Sequence, residues 1–555
     1  MAETLPTSPP IDHSPQGATP LPSAGAFAPL VHPVFRMLLS MWLVANICMW
    51  MNDVAAAWLM TSLTPSSIWV ALVQTAATLP VFLFGLPSGA LADILDRRLY
   101  FITTQFWLAF VAVLLCAAVF AGIMSPGLLL LLTFANGIGL AMRWPVFAAI
   151  VPELVPRAHL PSALALNGVA MNGSRIIGPL VAGALIASVG TIHVFLLNAI
   201  LSLASAFVLM RWQRVHVPNP LGRERLVSAM RVGLQFVAQS ARLKAVFLRI
   251  FIFFFHSTAL LALLPLVARQ LGSAGGGAAI YTLLLASMGI GAILAALFLP
   301  RMRQAMSRDA RVVGGCLVNS ASAAVVTLAP NSSVAAIAML FNGAAWITVA
   351  NALSVSAQMA LPDWVRARGM SMYQMAIMGA SATGAGIWGH VATISSVSTS
   401  LLIATATGIL AILLAQLLAA DRSIEEDLTP SRDFKVPVAP APPPAGHIVV
   451  SIEYLIDPAR SDEFRGVMRQ SRRSRLRQGA LSWELLQDVS TPGRFVEQIV
   501  DESWTEHLRR FDRVIAADVA LRERKFAFHL GDEAPLVSRF VVDAPLRRRQ
   551  VSKQA

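Results

Sequence analysis

Twelve apolar runs constrain this chain more than any other feature, because each is long enough to cross a lipid bilayer. They fall near residues 36–61, 68–91, 100–122, 127–149, 163–188 and 191–210, then near 246–268, 278–300, 312–330, 333–357, 367–392 and 397–419. A spanning helix needs about 20 apolar residues, and the bilayer core holds no water to satisfy a bare backbone. Only 13% of the residues are charged, whereas a soluble chain carries roughly 25%. The expectation is an all-α membrane protein of twelve transmembrane helices in two six-helix halves.

The loops set its orientation. One alternate set carries Arg97, Arg98, Arg157, Arg211, Arg214, Arg223, Arg225, Arg301, Arg303, Arg308, Arg366 and Arg368; the opposite set carries Arg269. Basic loops stay on the cytoplasmic side, so both termini are expected there. The net charge of +13 is read the same way, as loops facing anionic lipid. No nucleic-acid recognition motif accompanies it, and no nucleic-acid partner is expected. Cys48, Cys116 and Cys316 lie in apolar runs with no CxxC spacing and no His partners, so neither a metal site nor a cofactor is expected.

Polar groups inside the spans are the candidate functional residues, since each costs free energy there unless paired or facing water. Asp53 is the one carboxylate these spans place within the hydrocarbon layer, about two-thirds along the first. Proton coupling or substrate contact is one reading, a structural pair the other. Arg175, midway along the fifth span, is the expected partner, and Arg143 in the fourth is a second buried cation. His256 in the seventh is a second titrating candidate, with a hydrogen-bonded structural role as the plainer reading.

The stretch Gly89-Ala-Leu-Ala-Asp93-Ile-Leu-Asp96-Arg97-Arg98 falls between the second and third runs, where a short polar loop is expected. It resembles the loop signature of the major facilitator superfamily called motif A. The second half keeps Arg301, Arg303 and Arg308 at a similar offset but lacks the Gly-x-x-x-Asp portion, so that copy is expected to have lost its acid. In the fifth span, Arg175-Ile-Ile-Gly178-Pro179-Leu-Val-Ala-Gly183 resembles motif C of exporters in that superfamily. Trp144-Pro-Val-Phe, Val151-Pro-Glu-Leu-Val-Pro-Arg157, His159-Leu-Pro-Ser-Ala-Leu-Ala-Leu-Asn167 and Leu361-Pro-Asp-Trp-Val-Arg-Ala-Arg-Gly369 are similar to its transmembrane secretion effector branch. That branch includes enterobactin-exporter-like and macrolide-efflux-like proteins. The resemblance implies proton-driven export of a small molecule across the bacterial plasma membrane. It also implies that Gly89, Asp93, Asp96, Arg97 and Arg98 form a cytoplasmic latch. Arg175, Gly178, Pro179 and Gly183 would then support the seam between halves.

Beyond residue 420 the composition turns soluble. The boundaries read as a disordered tail 1–33, a first half 34–211, a cytoplasmic linker 212–244, a second half 245–420, a Pro-rich semi-rigid linker 421–445 and a soluble domain 446–545. Ile448–Ile456, Leu481–Val489, Arg494–Asp501 and Val537–Val542 read as strands, with helices over Pro458–Arg477 and 504–526. A β-α-β-β-α-β order predicts a ferredoxin-like fold. Phe495-Val-Glu-Gln-Ile-Val-Asp-Glu-Ser-Trp504-Thr-Glu-His507 is similar to antibiotic-biosynthesis-monooxygenase domains, which implies a homodimer through this part. Trp504 and His507 are candidates for a small pocket, or else for core and local packing. A basic run, Arg469, Arg472, Arg473, Arg475 and Arg477, reads as a solvated helix face or as a contact to anionic lipid.

The combined expectation is a secondary active transporter, not an enzyme, exporting a drug, siderophore or secondary metabolite by proton antiport. Uptake by the same fold, or an enzyme or sensor acting through the C-terminal domain, are the alternatives.

Overall fold

In the computed structural model, residues 27–156, 159–212, 226–272, 277–418, 427–431, 433–434, 436–437 and 446–542 are described. Six long helices form the first half: α1 (Pro33–Leu63), α2 (Ser67–Ile94), α3 (Arg97–Phe120), α4 (Pro126–Leu154), α5 (Leu160–Ser188) and α6 (Thr191–Met210). After the short α7 (Leu226–Gln239), six more form the second: α8 (Ala241–Leu271), α9 (Gly277–Ala305), α10 (Arg308–Leu328), α11 (Ser332–Met359), α12 (Asp363–Ile394) and α13 (Val397–Leu418). Eleven of the twelve long helices are apolar enough along an 18-residue window to cross a membrane. The exception is α12, whose 32 residues are diluted by Gly379, Ser381, Thr383, Gly384, Gly386, Gly389 and His390.

Those small residues serve packing. A Cβ added at Gly379 would meet the Phe82 ring at 2.7 Å, one at Gly389 would strike Ala71, and one at Gly384 would strike the Phe255 carbonyl. α12 therefore lies flush against α2 of the first half and α8 of its own, as close-packed membrane helices do.

The motif A stretch is not a loop. α2 continues through Ile94 and α3 begins at Arg97, leaving only Leu95 and Asp96 between them. The Asp96 carboxylate accepts from the Leu99 N–H at 2.9 Å and caps α3. Arg98 donates to the Trp212 carbonyl, and at 3.0 Å to that of Met210, where α6 leaves carbonyls without helical partners. The second half carries an acid outside the missing Gly-x-x-x-Asp portion. Asp309, in the first turn of α10, pairs with buried Arg249 of α8 at 2.8 Å, and Gln416 of α13 bonds to both.

The 212–244 stretch is not merely a linker. It carries α7, and α8 begins at Ala241, ahead of the expected start. Phe236 and Val237 of α7 share an apolar cluster with Leu243, Leu361, Trp364 and Val365.

The C-terminal domain has β1 (Ile448–Leu455), α14 (Ser461–Arg477), β2 (Ser482–Gln487), β3 (Arg494–Asp501), α15 (Trp504–Phe511), α16 (Ala516–Phe526) and β4 (Val537–Val541). The sheet is antiparallel in the order β2-β3-β1-β4, the ferredoxin-like arrangement. The expected second helix is broken into two at Asp512–Ile515. Residues 427–431 occupy that break: Thr429 O accepts from Ala516 N, and Ser431 N donates to Val514 O. This part of the expected semi-rigid linker is therefore bound to the domain. Pro492-Gly493 lies in the turn between β2 and β3, with Gly493 at φ +95°. A side chain there would be strained and would strike the Ile456 carbonyl.

A buried ionic network sits under the sheet. Glu497 accepts from Ser471 (2.7 Å), Trp483 (2.9 Å), Tyr454 (3.1 Å) and Lys525 (3.1 Å), with Arg475 at 3.6 Å. Burial alone would raise its carboxyl, but Lys525, Arg475 and the neutral donors outweigh that and hold it well below the carboxylate range. Burial also opposes ionisation of Asp501, yet Arg510 and His507 bring it to about 2. For Lys525 burial wins, drawing it down to about 8 against the pull of Glu497.

Both carboxyls lie below their unfolded values, so the stability they add is complete above about pH 5 and is lost as pH falls through the folded values. Limited proteolysis of the purified full chain should thus find residues 446–542 resistant near neutral pH and opening only as pH falls toward about 2. Glu497→Gln strands Lys525 without its counter-charge, at a cost of about 3–5 kcal/mol. That variant should release the domain to protease at neutral pH while the bundle stays folded; wild-type resistance would refute it.

Candidate functional site

The two halves are fused at the Arg-poor end and separate at the Arg-rich end. One apolar cluster joins Met51, Val54, Ala55 and Ala71 of the first half to Leu260, Tyr281, Leu284, Ala385 and Trp388 of the second. Toward the Arg-rich end the cores divide: Phe35, Trp42, Phe101 and Phe147 belong to one cluster, and Val246, Phe253, Leu353 and Tyr373 to another.

Polar links follow the same division. Arg269 donates to the Thr61 carbonyl, Ile68 N–H to Thr393 Oγ1 at 3.1 Å, and Thr75 Oγ1 to the Ala382 carbonyl at 2.9 Å. On the opposite flank, α5 meets α9 at Gly183, where an added Cβ would run into Thr282. Further along, a Cβ on Gly289 would reach Ile176 at 3.1 Å. Beyond that point α5 is uncovered, with Leu164 51% and Val169 68% exposed. Among the described residues, α4 and α11 are not packed together.

Asp53 sits within the fused end. Its Oδ1 is buried and accepts no hydrogen bond, and the Tyr281 phenol of α9 lies within its electrostatic reach across the seam. The expected Asp53–Arg175 pair is absent. The Arg175 guanidinium lies instead over two indoles, 4.9 Å from Trp50 of α1 and 4.0 Å from Trp346 of α11. Tyr373 of α12 interacts with it electrostatically. Arg175 thus touches both halves at the level where the fused end gives way.

Arg143 is placed elsewhere, fully inside the first half. It donates to Asn46 Oδ1 at 3.5 Å and lies 5.0 Å from the Trp42 ring, which stacks on Phe147. Asn52 faces another way and accepts from Asn198 at 3.3 Å. His256 shares its Nδ1 with the Ile252 carbonyl at 2.7 Å and tilts against Trp388. It lines a small polar void with Ser257, Asn319, Ser320 and Thr405, inside the second half.

Within motif C, Gly183 faces Thr282 of the other half, whereas a Cβ on Gly178 would meet Trp50 Cβ at 2.5 Å, in α1 of the same half. Pro179 lies inside α5 and is buried. Gly89 is half-buried in α2, whereas the Asp93 side chain lies outside the described residues. Arg98 stays within the first half, as does the Asp96 cap. In this conformation the described bonds of these two motif A residues hold helix ends of the first half.

In the C-terminal domain, His507 donates its Nδ1–H to Asp501 Oδ2 at 2.7 Å, packs on Trp504 and Phe511, and is 3% exposed. Arg510 binds the same carboxylate at 2.7 Å. Burial lowers His507 and Asp501 works against that. On its other side the ring accepts at Nε2 from Arg539 Nε at 3.3 Å. Sequence reasoning missed Trp50, Trp346 and Tyr373. Only their phase on their helices relative to the unknown seam marks them.

A side chain at Gly183 must push α9 away, because Thr282 occupies its place. Gly183→Val should therefore shift the population away from the state sealed at the Arg-poor end. The check is thiol labelling of purified protein carrying Ala57→Cys in a background without native cysteines. Labelling at that site should rise several-fold, and an unchanged rate would refute the role of Gly183.

The family model for the transmembrane secretion effectors matches residues 24–546, running through the bundle and the four-stranded domain alike. No curated protein matches the chain. Among solved structures, the nucleoside transporter NupG is similar at 11% identity and TM-score 0.57, covering 70% of this chain and 100% of that one. A POT family transporter in complex with a thioalcohol-conjugated peptide is similar at 14% identity and TM-score 0.55, covering 69% and 96%. A bacterial homologue of the lysosomal transporter Spinster, inward-facing and unoccupied, is similar at 15% identity and TM-score 0.51, covering 70% and 95%. Identities this low speak for the fold alone. The chain belongs to the transmembrane secretion effector family and is a multi-pass membrane transporter of the major facilitator type.

Proposed function

We propose that the protein exports a small molecule (a drug, siderophore or secondary metabolite) from the bacterial cytoplasm by proton antiport through alternating access. The observation that carries this reading is Asp53: a carboxylate in the seam between halves, with a buried oxygen that no donor meets. Ionised and dry, such a group is costly; protonated, or wetted when the seam opens, it is not. Its free energy thus differs between the sealed and open states, which is what coupling a proton to a conformational change requires.

The arginine asymmetry supports placing the Arg-rich end and both termini in the cytoplasm of a bacterial plasma membrane. On that orientation the described conformation opens inward, ready to take substrate from the cytoplasm. The soluble domain is proposed as an assembly module and not an enzyme. Its sheet turns Leu455, Leu486 and Phe540 outward, 44%, 46% and 55% exposed, on the face opposite the helices. That apolar face favours a homodimer, and Phe540→Cys should then form a disulfide-linked dimer in the purified full chain.

Efflux of toxic dyes, macrolides and siderophores from expressing cells tests the main reading. Export should collapse with a protonophore and in Asp53→Asn, which cannot ionise. Export that survives both would remove the proton mechanism, and substrate accumulation instead of loss would reverse the direction.

A further inference from the structure

Three arginines lie deep in the long helices, and two of them have acceptors. Arg249 is bound by Asp309 and Gln416, and Arg143 by Asn46. Arg175 has neither a carboxylate nor an amide; its described contacts are the Trp50 and Trp346 rings and the field of the Tyr373 phenol. Indole faces attract a cation but accept none of its five N–H groups in ordinary hydrogen bonds. A half-buried guanidinium at membrane depth without a counter-ion is an incomplete site.

Resting on the transporter reading above, we infer that Arg175 completes itself with the substrate, and that the substrate is an organic anion carrying a flat apolar ring. The guanidinium fork matches a carboxylate or a similar oxyanion in two-point geometry. Trp50 and Trp346 offer ring faces beside it. Met378 of α12 packs against the same apolar cluster as Trp50, and Met375 lies on the α2–α12 flank of the seam, where a Cβ on Gly85 would meet it at 3.1 Å. Thioether side chains adapt to ring edges of varied shape.

The location gives the contact a mechanical role. Trp50 belongs to the first half and Trp346 to the second, so the cation is held by both. When the halves move, at least one of those ring contacts must be remade. An anion bound at Arg175 replaces part of what is lost, which is a differential interaction between the two states.

The test uses purified full-length protein in detergent, without a proton gradient, and two ligands of one shape and opposite charge: 2-naphthoate and 2-naphthylmethylamine. Binding is read by quenching of tryptophan fluorescence. Naphthoate should bind saturably and more tightly than the amine. Arg175→Gln should weaken naphthoate at least about tenfold, corresponding to about 1.4 kcal/mol, while Arg175→Lys should retain part of the affinity. Arg143→Gln, at a buried arginine outside this site, should leave naphthoate binding unchanged. No saturable binding of naphthoate, equal affinity for the amine, or an unchanged Arg175→Gln would each overturn the proposal. Displacement of naphthoate by phosphatidylglycerol but not phosphatidylcholine would also overturn it, by assigning the cation to a lipid headgroup. Because no gradient enters, failure of proton-driven export leaves this result standing, and failure here leaves the export reading standing.

Discussion

A bilayer gives no hydrophobic gain for pressing two apolar helices together, so the seam between the halves must be held by shape and by hydrogen bonds. That constraint governs the bundle. It explains why α12 carries glycines against both α2 and α8, why Gly183 faces Thr282, and why Arg269 reaches across to the end of α1. Each link is small, which suits the alternating access proposed above. A seam sealed by bulky interlocking side chains would resist the rocking that alternating access requires.

The seam also gives the buried polar groups their different meanings. Arg249 and Asp309 pair inside the second half, and Arg143 is enclosed in the first, so both read as scaffold. Asp53 and Arg175 lie where the halves meet, and among the described residues neither has an ionic partner. A charge left incomplete within a rigid half would only cost stability. Left incomplete at a moving boundary, it makes the energies of the two arrangements differ, and protons or ligands can act on that difference.

Much of the fold could be read from the sequence, because hydropathy over twenty residues is an average that one misplaced residue cannot erase. The strands around Pro492-Gly493 were legible for a similar reason, since turn chemistry is local. What depends on partners far along the chain was not. Asp96 and Arg98 look like half of a signature, but their bonds are those of helix caps, visible only once α3 and α6 lie side by side. Asp309 follows an arginine and passes for loop polarity until Arg249 is seen beneath it. Glu497 and Lys525 sit on a strand and a helix 28 residues apart, where each reads as surface. The expected pairing of Asp53 with Arg175 rested on depth alone, and depth says nothing of the direction a side chain takes around its helix.

The weak apolarity of α12 bears on how the protein is made. Eleven of its long helices could each partition into lipid on their own composition, but α12 could not do so comfortably. Its glycines and hydroxyls are tolerable only once α2 and α8 cover them, and both have left the ribosome well before it. The helix that follows, α13, is strongly apolar at a mean hydropathy of 2.1. Insertion of α12 is thus best understood as a cooperative event. It is drawn in with α13 as a hairpin and received by surfaces already in place, so the second half closes around its least membrane-like member last.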